Sequence, residues 1–168
     1  MMGEHHHHAK AKHVVACAVV TVSDTRTLET DESGGCIRTL LEGAGHRVVG
    51  YTILPDEPGR IRAHLEELLA LPGVDAVLVN GGTGLAPRDT TYEAVTAVLE
   101  KRLDGFGELF RMLSYEQIGS AAMMSRACAG TIGKVVVISL PGSEKAVMLA
   151  MTKLVLPELT HLVQQAGK

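Results

Sequence analysis

Apolar runs of strand length alternate along the chain with segments whose apolar residues recur every three or four positions. The strand-like runs, at residues 14–22, 46–54, 74–80 and 135–140, are rich in Val, Ile and Leu. Near-continuous apolar runs are typical of parallel strands that are buried on both faces. The alternation therefore predicts an α/β domain in which helices cover both faces of a mostly parallel sheet.

Local signals predict where the first two helices begin and end. Ser33 has the side chain of a helix N-cap, and Gly45 is a typical helix stop. Residues 56–58 (Asp-Glu-Pro) predict the start of the second helix, since proline suits the first turn. Its apolar residues continue at helical spacing until the Pro-Gly pair at residues 72–73.

The second half of the chain predicts further helices. Thr90 and Glu93 have the spacing of a capping box, so a helix is expected to begin there. The helical periodicity continues until Gly119, which is expected to break it. A terminal helix follows residues 141–143 and is expected to bend or restart at Pro157, which lacks a backbone N–H.

Composition limits the classes of function. A chain of 168 residues with 46% hydrophobic content matches one ordinary domain, predicted at residues 13–168. Its net charge is −3, and its 16 basic side chains form no run that could follow a nucleic-acid backbone. The aromatic content is 3% and there is no Trp, which leaves no stacking platform for bases. We therefore expect no nucleic-acid partner.

The N-terminal stretch is set apart from this domain. Residues 1–12 contain a run of histidines among small and basic residues, which indicates an expression-tag remnant or a disordered lead. The apolar run at 14–22 could imitate a signal peptide, but it passes directly into polar residues without a cleavage site. No segment is predicted to reach the roughly 20 apolar residues of a membrane span. The protein is therefore expected to be cytoplasmic, with no membrane partner.

The cysteines and isolated histidines do not suggest a metal site or a disulfide framework. Cys17, Cys36 and Cys128 are widely spaced and include no Cys-x-x-Cys pair. This pattern is typical of reduced thiols. The histidines beyond the N-terminal run stand singly, with no spacing that suggests shared metal ligands.

Three of the predicted strands end in small or polar turns, at residues 21–24, 80–84 and 139–143. The C-terminal ends of parallel strands lie along one edge of a sheet, where ligands bind in such folds, so we expect these turns to meet. Residues 80–84 read Asn-Gly-Gly-Thr-Gly. Because glycine has no Cβ, backbone N–H groups in this loop can approach an anion closely, and the following helix N-terminus favours negative charge. The sequence thus predicts a phosphate-binding loop.

The residues after this loop strengthen the prediction. Arg88 and Asp89 supply a phosphate partner and a candidate magnesium ligand. The structural alternative is a simple tight turn, with Asp56 and Asp89 acting as helix N-caps, and both roles can coexist. Two common nucleotide fingerprints are absent. Pro87 stands at the third glycine position of a dinucleotide motif, and residues 130–134 lack the spacing of a Walker loop, so they predict a turn.

Short motifs stand in a specific order along most of the chain. They are Thr21-Val22-Ser23-Asp24, Asp31 with Ser33-Gly34, Pro55-Asp56-Glu57, Gly81-Gly82-Thr83-Gly84 with Arg88-Asp89 and Thr91, Gly105-Phe106-Gly107-Glu108 with Arg111 and Ser114, Ser125-Arg126-Ala127, Pro141-Gly142-Ser143 with Ala146, and Pro157-Glu158-Leu159. In this order and spacing they resemble the MogA/MoaB family of molybdenum cofactor biosynthesis, and its MoaB branch most closely. The resemblance covers roughly residues 14–162.

This resemblance implies a three-layer αβα domain that assembles as a homotrimer or homohexamer. It also implies an adenylyltransferase that uses ATP and magnesium to convert molybdopterin to adenylyl-molybdopterin, releases pyrophosphate, and contacts other molybdenum cofactor biosynthesis enzymes. The family's catalytic and metal-binding carboxylates correspond to Asp56 and Asp89. Its nucleotide contacts correspond to Gly81, Gly82, Thr83, Gly84, Arg88, Pro141, Gly142 and Ser143. Its substrate contacts correspond to Thr21, Ser23, Asp24, Ser114 and Ser125.

Two features bear on whether such a protein is active. Some members of the MoaB branch lack one or both carboxylates and are inactive, whereas Asp56 and Asp89 are both present here. Ser143-Glu144 stands where the clearest adenylyltransferases have an amide residue followed by Pro. The main alternative is a non-catalytic pterin-binding or scaffolding oligomer of the same fold. Molybdate insertion is disfavoured because the related family that performs it is larger and has further domains.

Overall fold

The computed structural model describes residues 13–168, so the predicted lead at residues 1–12 lies outside the described residues. The described strands are β1 (Ala16–Val22), β2 (Arg47–Leu54), β3 (Ala76–Asn80), β4 (Lys101–Arg102), β5 (Cys128–Ile132) and β6 (Val135–Leu140). The described α-helices are α1 (Glu32–Gly43), α2 (Pro58–Ala70), α3 (Thr91–Val98), α4 (Asp104–Ile118), α5 (Glu144–Ala150) and α6 (Leu156–Ala166). A 3₁₀ segment at Gly119–Met124 follows α4, and a π-helical turn at Met151–Val155 joins α5 to α6.

These strands form one sheet in the order β2-β1-β3-β6-β5-β4. Strands β2, β1, β3 and β6 are parallel, while β5 is antiparallel to both of its neighbours, β6 and β4. The register sets Thr21 of β1 beside Asn80 of β3, and Asn80 beside Leu140 of β6. Strands β1, β3 and β6 therefore end level with one another, and the turns that follow them share one edge of the sheet.

Apolar clusters on the two faces of the sheet confirm the three-layer αβα architecture. Along β1, Cys17 and Val19 face one cluster while Ala18 and Val20 face the other, as the period-two alternation of a strand requires. The first cluster packs the sheet against α1, α4, α5 and α6, and the second packs it against α2 and α3. Aliphatic side chains dominate both clusters because the chain has few aromatic residues.

The antiparallel edge of the sheet differs from the sequence prediction. Residues 130–134 predict a turn, but Cys128–Ile132 is a strand, and the turn is confined to Gly133 and Lys134. Glycine has a low strand propensity, so Gly130 and Gly133 make this segment look unlike a strand in the sequence. The two-residue β4 likewise interrupts the expected helical periodicity. It could not be predicted, because so short a strand shows no alternation of apolar and polar residues.

The N-terminus of α1 is capped by a different residue from the predicted one. Asp31 is the N-cap, and its Oδ1 accepts the Gly34 N–H at 3.0 Å. The hydroxyl of Ser33 instead donates to the carbonyl oxygen of Gly142 at 2.5 Å. The predicted cap residue therefore joins α1 to the turn that follows β6.

The expected capping box at α3 does not form. Thr90 is the N-cap residue, but its side chain makes no cap hydrogen bond. Its hydroxyl donates instead to Asp56 Oδ1 at 2.6 Å, and the Glu93 carboxylate pairs with Arg126. Partners distant in sequence therefore take both of the side chains that the local pattern assigns to the cap.

The predicted interruption at Pro157 is confirmed. Just before this proline the helix passes through the π-helical turn, in which the Leu156 N–H bonds to the Met151 carbonyl oxygen, five residues back. The α-helix then resumes as α6 with Pro157 in its first turn, where a missing N–H costs little.

The combined helical stretch Glu144–Ala166 is long and apolar enough to pass for a membrane span, contrary to the sequence expectation that no segment would be. Several of its apolar side chains belong to the first core cluster and are fully buried: Val147, Ala150, Met151, Val155 and Leu159. This packing places one face of the stretch in the core of the domain.

Candidate active site

The glycine loop after β3 and the turn after β6 touch each other at the shared edge of the sheet. The Gly81 N–H donates to the Leu140 carbonyl oxygen at 3.0 Å. A Cβ added at Gly142 would lie only 3.1 Å from the Gly81 Cα, so the two loops are in backbone contact. The structure therefore brings together two of the segments predicted to contact a nucleotide.

Gly82 is required by both its conformation and its surroundings. Its φ of +66° is one that side-chain-bearing residues rarely adopt. A Cβ at this position would collide with Thr91 Oγ1 and would lie 2.5 Å from Asp56 Oδ2. The loop backbone therefore lies directly against the side chains of Asp56 and Thr91.

Asp56 has one committed and one uncommitted carboxylate oxygen. Its Oδ1 accepts the Thr90 N–H at 3.0 Å and the Thr90 hydroxyl at 2.6 Å. Its Oδ2 lies beside Gly82 and accepts no hydrogen bond from the described part of the chain. Asp56 is 8% exposed and does not cap α2, whose N-cap residue is Glu57. The capping alternative is therefore wrong for this residue.

Asp89 lies against the other end of the glycine loop. A Cβ at Gly84 would be 2.7 Å from Asp89 Oδ2. The half-buried side chain of Asp89 makes no hydrogen bond within residues 13–168, and it does not cap α3. Both predicted carboxylates therefore present an oxygen to the loop without an internal partner, which suits them to a cation or to its hydration shell.

Arg88, predicted to bind phosphate, is paired with another predicted site residue. Its Nε and Nη2 donate to Asp24 Oδ2 at 3.1 and 2.6 Å, and Asp24 Oδ1 accepts the Asp56 N–H at 3.0 Å. The hydrogen bond from Arg88, followed by that from Asp56, lowers the pKa of Asp24. The Arg88 side chain is 67% exposed, and exposed ion pairs contribute little to stability, so an incoming phosphate can compete for this guanidinium.

The predicted substrate contacts on β1 and in the turn after it form hydrogen bonds within the chain. Thr21 is 1% exposed, and its Oγ1 accepts a hydrogen bond from Asn80 Nδ2 at 2.8 Å. The Ser23 hydroxyl accepts the N–H groups of Thr25 and Arg26 at 3.2 and 3.0 Å. These side chains shape the turn after β1, in which Asp24 is the exposed group.

The other two predicted substrate contacts lie on different elements. Ser114 is on the buried face of α4, and no hydrogen bond joins its side chain to the strand-end loops in the described chain. Ser125 follows the 3₁₀ segment, and its buried Oγ has no hydrogen-bond partner among the described residues. Arg111 of α4 donates to the Ser125 carbonyl oxygen at 3.4 Å and so links these two elements.

The turn at Pro141-Gly142-Ser143 is held by α1 and by its own helix. The Gly142 carbonyl oxygen accepts hydrogen bonds from Ser33 at 2.5 Å and from Arg26 Nη2 at 3.2 Å. Ser143 caps α5, accepting the Ala146 N–H at 3.2 Å. The Ser143 side chain is therefore already used, while the backbone of the turn stays against the glycine loop.

Two residues that the sequence reasoning left without a role organise these loops. Arg126 donates to backbone carbonyl oxygens at both ends of residues 83–89. Asp31 is fully buried and links Tyr51, Gly34 and Arg26. Both residues lie in motifs already noted in the sequence, but their partners are distant in the chain, so no local pattern could have indicated these contacts.

The cysteines show no sign of catalytic use. All three are free thiols, as predicted. Burial raises the pKa of Cys17 to about 12 and that of Cys128 to about 11, so these thiols stay protonated and are poor nucleophiles. No group of three or more His, Cys, Asp or Glu side chains forms a metal site within residues 13–168.

The fold and site together define an α/β protein whose strand-end glycine loop, flanked by two carboxylates, suits a phosphate-bearing ligand. A family model described as a probable molybdopterin binding domain matches residues 18–161, which is most of the chain. The chain belongs to this family, in which it is grouped with the MoaB and MogA proteins of molybdenum cofactor biosynthesis.

Relatives and solved structures agree with this membership. Molybdenum cofactor biosynthesis protein B of Bacillus subtilis is 51% identical over 168 residues, with 99% of each chain covered. A crystal structure of molybdenum cofactor biosynthesis protein B matches with a TM-score of 0.91 and 53% identity, covering 94% of this chain and 98% of that one. The crystal structure of the tungsten cofactor synthesizing protein MoaB from Pyrococcus furiosus matches with a TM-score of 0.83 and 36% identity. The match covers 94% of this chain and 100% of that one. These similarities confirm the predicted closeness to the MoaB branch.

Proposed function

We propose that this protein acts in molybdenum cofactor biosynthesis as a molybdopterin adenylyltransferase that uses Mg-ATP. An oxygen of the terminal phosphate of molybdopterin bonds to the α-phosphorus of ATP, and the bond between that phosphorus and the oxygen bridging to the β-phosphate breaks. The products are adenylyl-molybdopterin and pyrophosphate. The observation that carries the proposal is the position of Asp56 and Asp89, whose uncommitted oxygens lie against the glycine loop at Gly82 and Gly84.

The chain's own residues supply what this reaction needs, which is positioning and charge neutralisation. Backbone N–H groups of Gly82, Thr83 and Gly84 would bind the triphosphate, with residues 141–143 beside them, whereas the Gly81 N–H is already bonded to the Leu140 carbonyl oxygen. Asp56 and Asp89 would hold the magnesium. This ion is usually held by one or two carboxylates together with substrate phosphates, so a pair of protein carboxylates fits its chemistry. Bound magnesium neutralises the charge of the triphosphate during the transfer.

The direct test is incubation of the protein with molybdopterin, ATP and magnesium. We expect adenylyl-molybdopterin and pyrophosphate in equal amounts, separated by chromatography, and no product when EDTA removes the magnesium. Absence of both products from a folded preparation that binds molybdopterin would refute the proposed reaction.

A non-catalytic pterin-binding or scaffolding role is the second candidate. It is favoured by the pairing of Arg88 with Asp24. Arg88 is the only arginine that the sequence predicts to bind phosphate, and Asp24 already binds its guanidinium. Calorimetric titration separates the two candidates, because a scaffold has no need of nucleotide. We expect Mg-ATP to bind with a measurable heat, and a flat titration beside normal molybdopterin binding would favour the scaffold.

We also propose the homotrimer or homohexamer that the family resemblance implies, working in the cytoplasm with other enzymes of the pathway. Exposed apolar side chains on α4 and the 3₁₀ segment support an assembly, because such patches mark contact surfaces. They are Leu109, Met112, Tyr115, Ile118, Met123 and Met124. Light scattering should give three or six times the mass of one chain.

Gly84→Ala should disturb the Asp89 carboxylate without disturbing the fold. The φ of Gly84 is not positive, and the three atoms nearest to the added Cβ all belong to the Asp89 carboxylate, with Oδ2 at 2.7 Å. We expect turnover to fall about tenfold to 100-fold, because the added Cβ displaces the Asp89 carboxylate and so misplaces the reacting groups. We expect Tm to stay close to that of the parent. Gly105→Ala is the matched control, because no atom lies within 4 Å of its added Cβ. Equal turnover in the two variants would argue against Asp89 at the reacting phosphates.

A further inference from the structure

One arginine, Arg126, binds both ends of the segment that carries Arg88 and Asp89. Arg126 lies just before β5, and its guanidinium reaches the loop between β3 and α3. Its Nε donates to the Thr83 carbonyl oxygen at 3.0 Å, and its Nη2 donates to the carbonyl oxygens of Gly84 at 2.5 Å and Asp89 at 3.2 Å. These acceptors lie at the two ends of residues 83–89, so a single side chain fixes the distance between the two ends of this segment.

Helix α3 holds the same guanidinium in place. Arg126 Nη1 pairs with the Glu93 carboxylate, and the Cζ atom lies 5.1 Å from the centre of the Tyr92 ring, a cation–π distance. The hydrogen bond from Arg126 lowers the pKa of Glu93. The Arg126 side chain is 21% exposed, whereas that of Arg88 is 67% exposed. Arg126 is therefore anchored to a helix on one side and to the loop on the other.

The hydrogen bonds of Arg126 leave it little capacity for a ligand. A guanidinium has five N–H donors. Four of them are used, one on Nε, one on Nη1 and two on Nη2.

Resting on the proposed function, we infer that Arg126 is a positioning residue for the transfer reaction. It holds residues 83–89 in the shape that sets the Asp89 carboxylate and the loop N–H groups against the phosphates.

The first test compares Arg126→Ala with Arg102→Ala. We expect Arg126→Ala to speed amide hydrogen exchange in residues 83–91 and to lower kcat about 100-fold, because small misplacements of reacting groups have costs of this order. Arg102→Ala removes the same charge and a 3.0 Å hydrogen bond to Tyr92 Oη but does not touch the loop. It should change neither measurement. Unchanged exchange in Arg126→Ala would overturn the inference.

Arg126→Lys separates geometry from charge and guards against misfolding of the Ala variant. Lysine keeps a positive charge beside Glu93 and Tyr92, but one ammonium cannot reproduce the fork that reaches Thr83, Gly84 and Asp89 together. We expect Arg126→Lys to fold with a Tm near that of the parent and to recover less than a tenth of the lost kcat. Full recovery would mean that charge alone matters, and it would overturn the positioning role.

A double variant tests whether Arg126 acts through Asp89. If it does, Asp89→Ala combined with Arg126→Ala should lose far less than the product of the two single losses, since the second change removes support from a group already absent. Multiplying losses would overturn the inference. Should the parent itself form no adenylyl-molybdopterin, the proposed function fails, and loop exchange alone then tests whether Arg126 holds residues 83–89. Faster exchange in Arg126→Ala would support that hold, and unchanged exchange would overturn it.

Discussion

Asp89→Ala should lower the adenylylation rate about 100- to 1000-fold while leaving Tm at the value of the parent. The Asp89 carboxylate makes no hydrogen bond to the residues that the structure describes, so its removal breaks no such contact within the fold. In the proposed reaction it holds the ion that neutralises the developing charge, and the loss of one such group costs about 2.7–4 kcal/mol of barrier. Single-turnover rates and thermal unfolding, measured on one preparation, check both halves of this expectation.

The companion variant Asp56→Ala should lose activity and stability together. Its Oδ1 accepts two hydrogen bonds from Thr90, and leaving the Thr90 N–H without a partner costs about 1–3 kcal/mol. Asp89 is therefore the cleaner probe, with Asp104→Ala as the control, because Asp104 is an exposed carboxylate on α4. Magnesium-free ATP should bind Asp89→Ala at least as well as the parent, since a repulsive charge is gone. Full turnover by Asp89→Ala would mean that the carboxylate has no part in the reaction.

The central strands and the glycine loop could be predicted from the sequence because their signals are local. The Val-rich runs at residues 14–22 and 135–140 have the length and composition of buried strands, and the rule for parallel sheets then places their ends on one edge. The glycines at residues 81–84 mark the turn without any knowledge of its neighbours. The antiparallel β5 escaped prediction because its strand pattern is short and interrupted by glycine.

The hydrogen-bond partners of the polar site residues could not be predicted in this way. Ser33 and Thr90 carry local capping signals, yet their hydroxyls bond to Gly142 and Asp56. Arg88 is a reasonable phosphate partner by position, but in the structure it is paired with Asp24, 64 residues away. A partner so distant in sequence produces no periodicity or spacing. The sequence can therefore name a reactive side chain, whereas its protonation and availability depend on tertiary contacts.

Asp31→Ala should cost about 3–5 kcal/mol of unfolding free energy, because a buried carboxylate is removed from a network that depends on it. The side chain is fully buried and accepts hydrogen bonds from Tyr51 Oη, the Gly34 N–H and Arg26. Its loss leaves the Tyr51 hydroxyl and the Arg26 guanidinium without this partner, and Arg26 also holds the Gly142 carbonyl. Denaturant unfolding measures the change. Tyr51→Phe removes a single donor to a charged group and should cost less, about 1.5–3 kcal/mol.

The same carboxylate should make stability depend on acid pH. Burial alone would raise the pKa of Asp31, but hydrogen bonds from Thr21, Tyr51, Gly34 and Arg26 outweigh it and hold the pKa below its ordinary value of 3.8. Such a group stabilises the fold above its unfolded pKa and loses that contribution as the pH falls through its folded pKa. The difference in unfolding free energy between the parent and Asp31→Asn should therefore stay constant from about pH 7 to about pH 5 and shrink below about pH 4. A difference that persists unchanged down to about pH 2 would show that the network does not depend on the Asp31 charge.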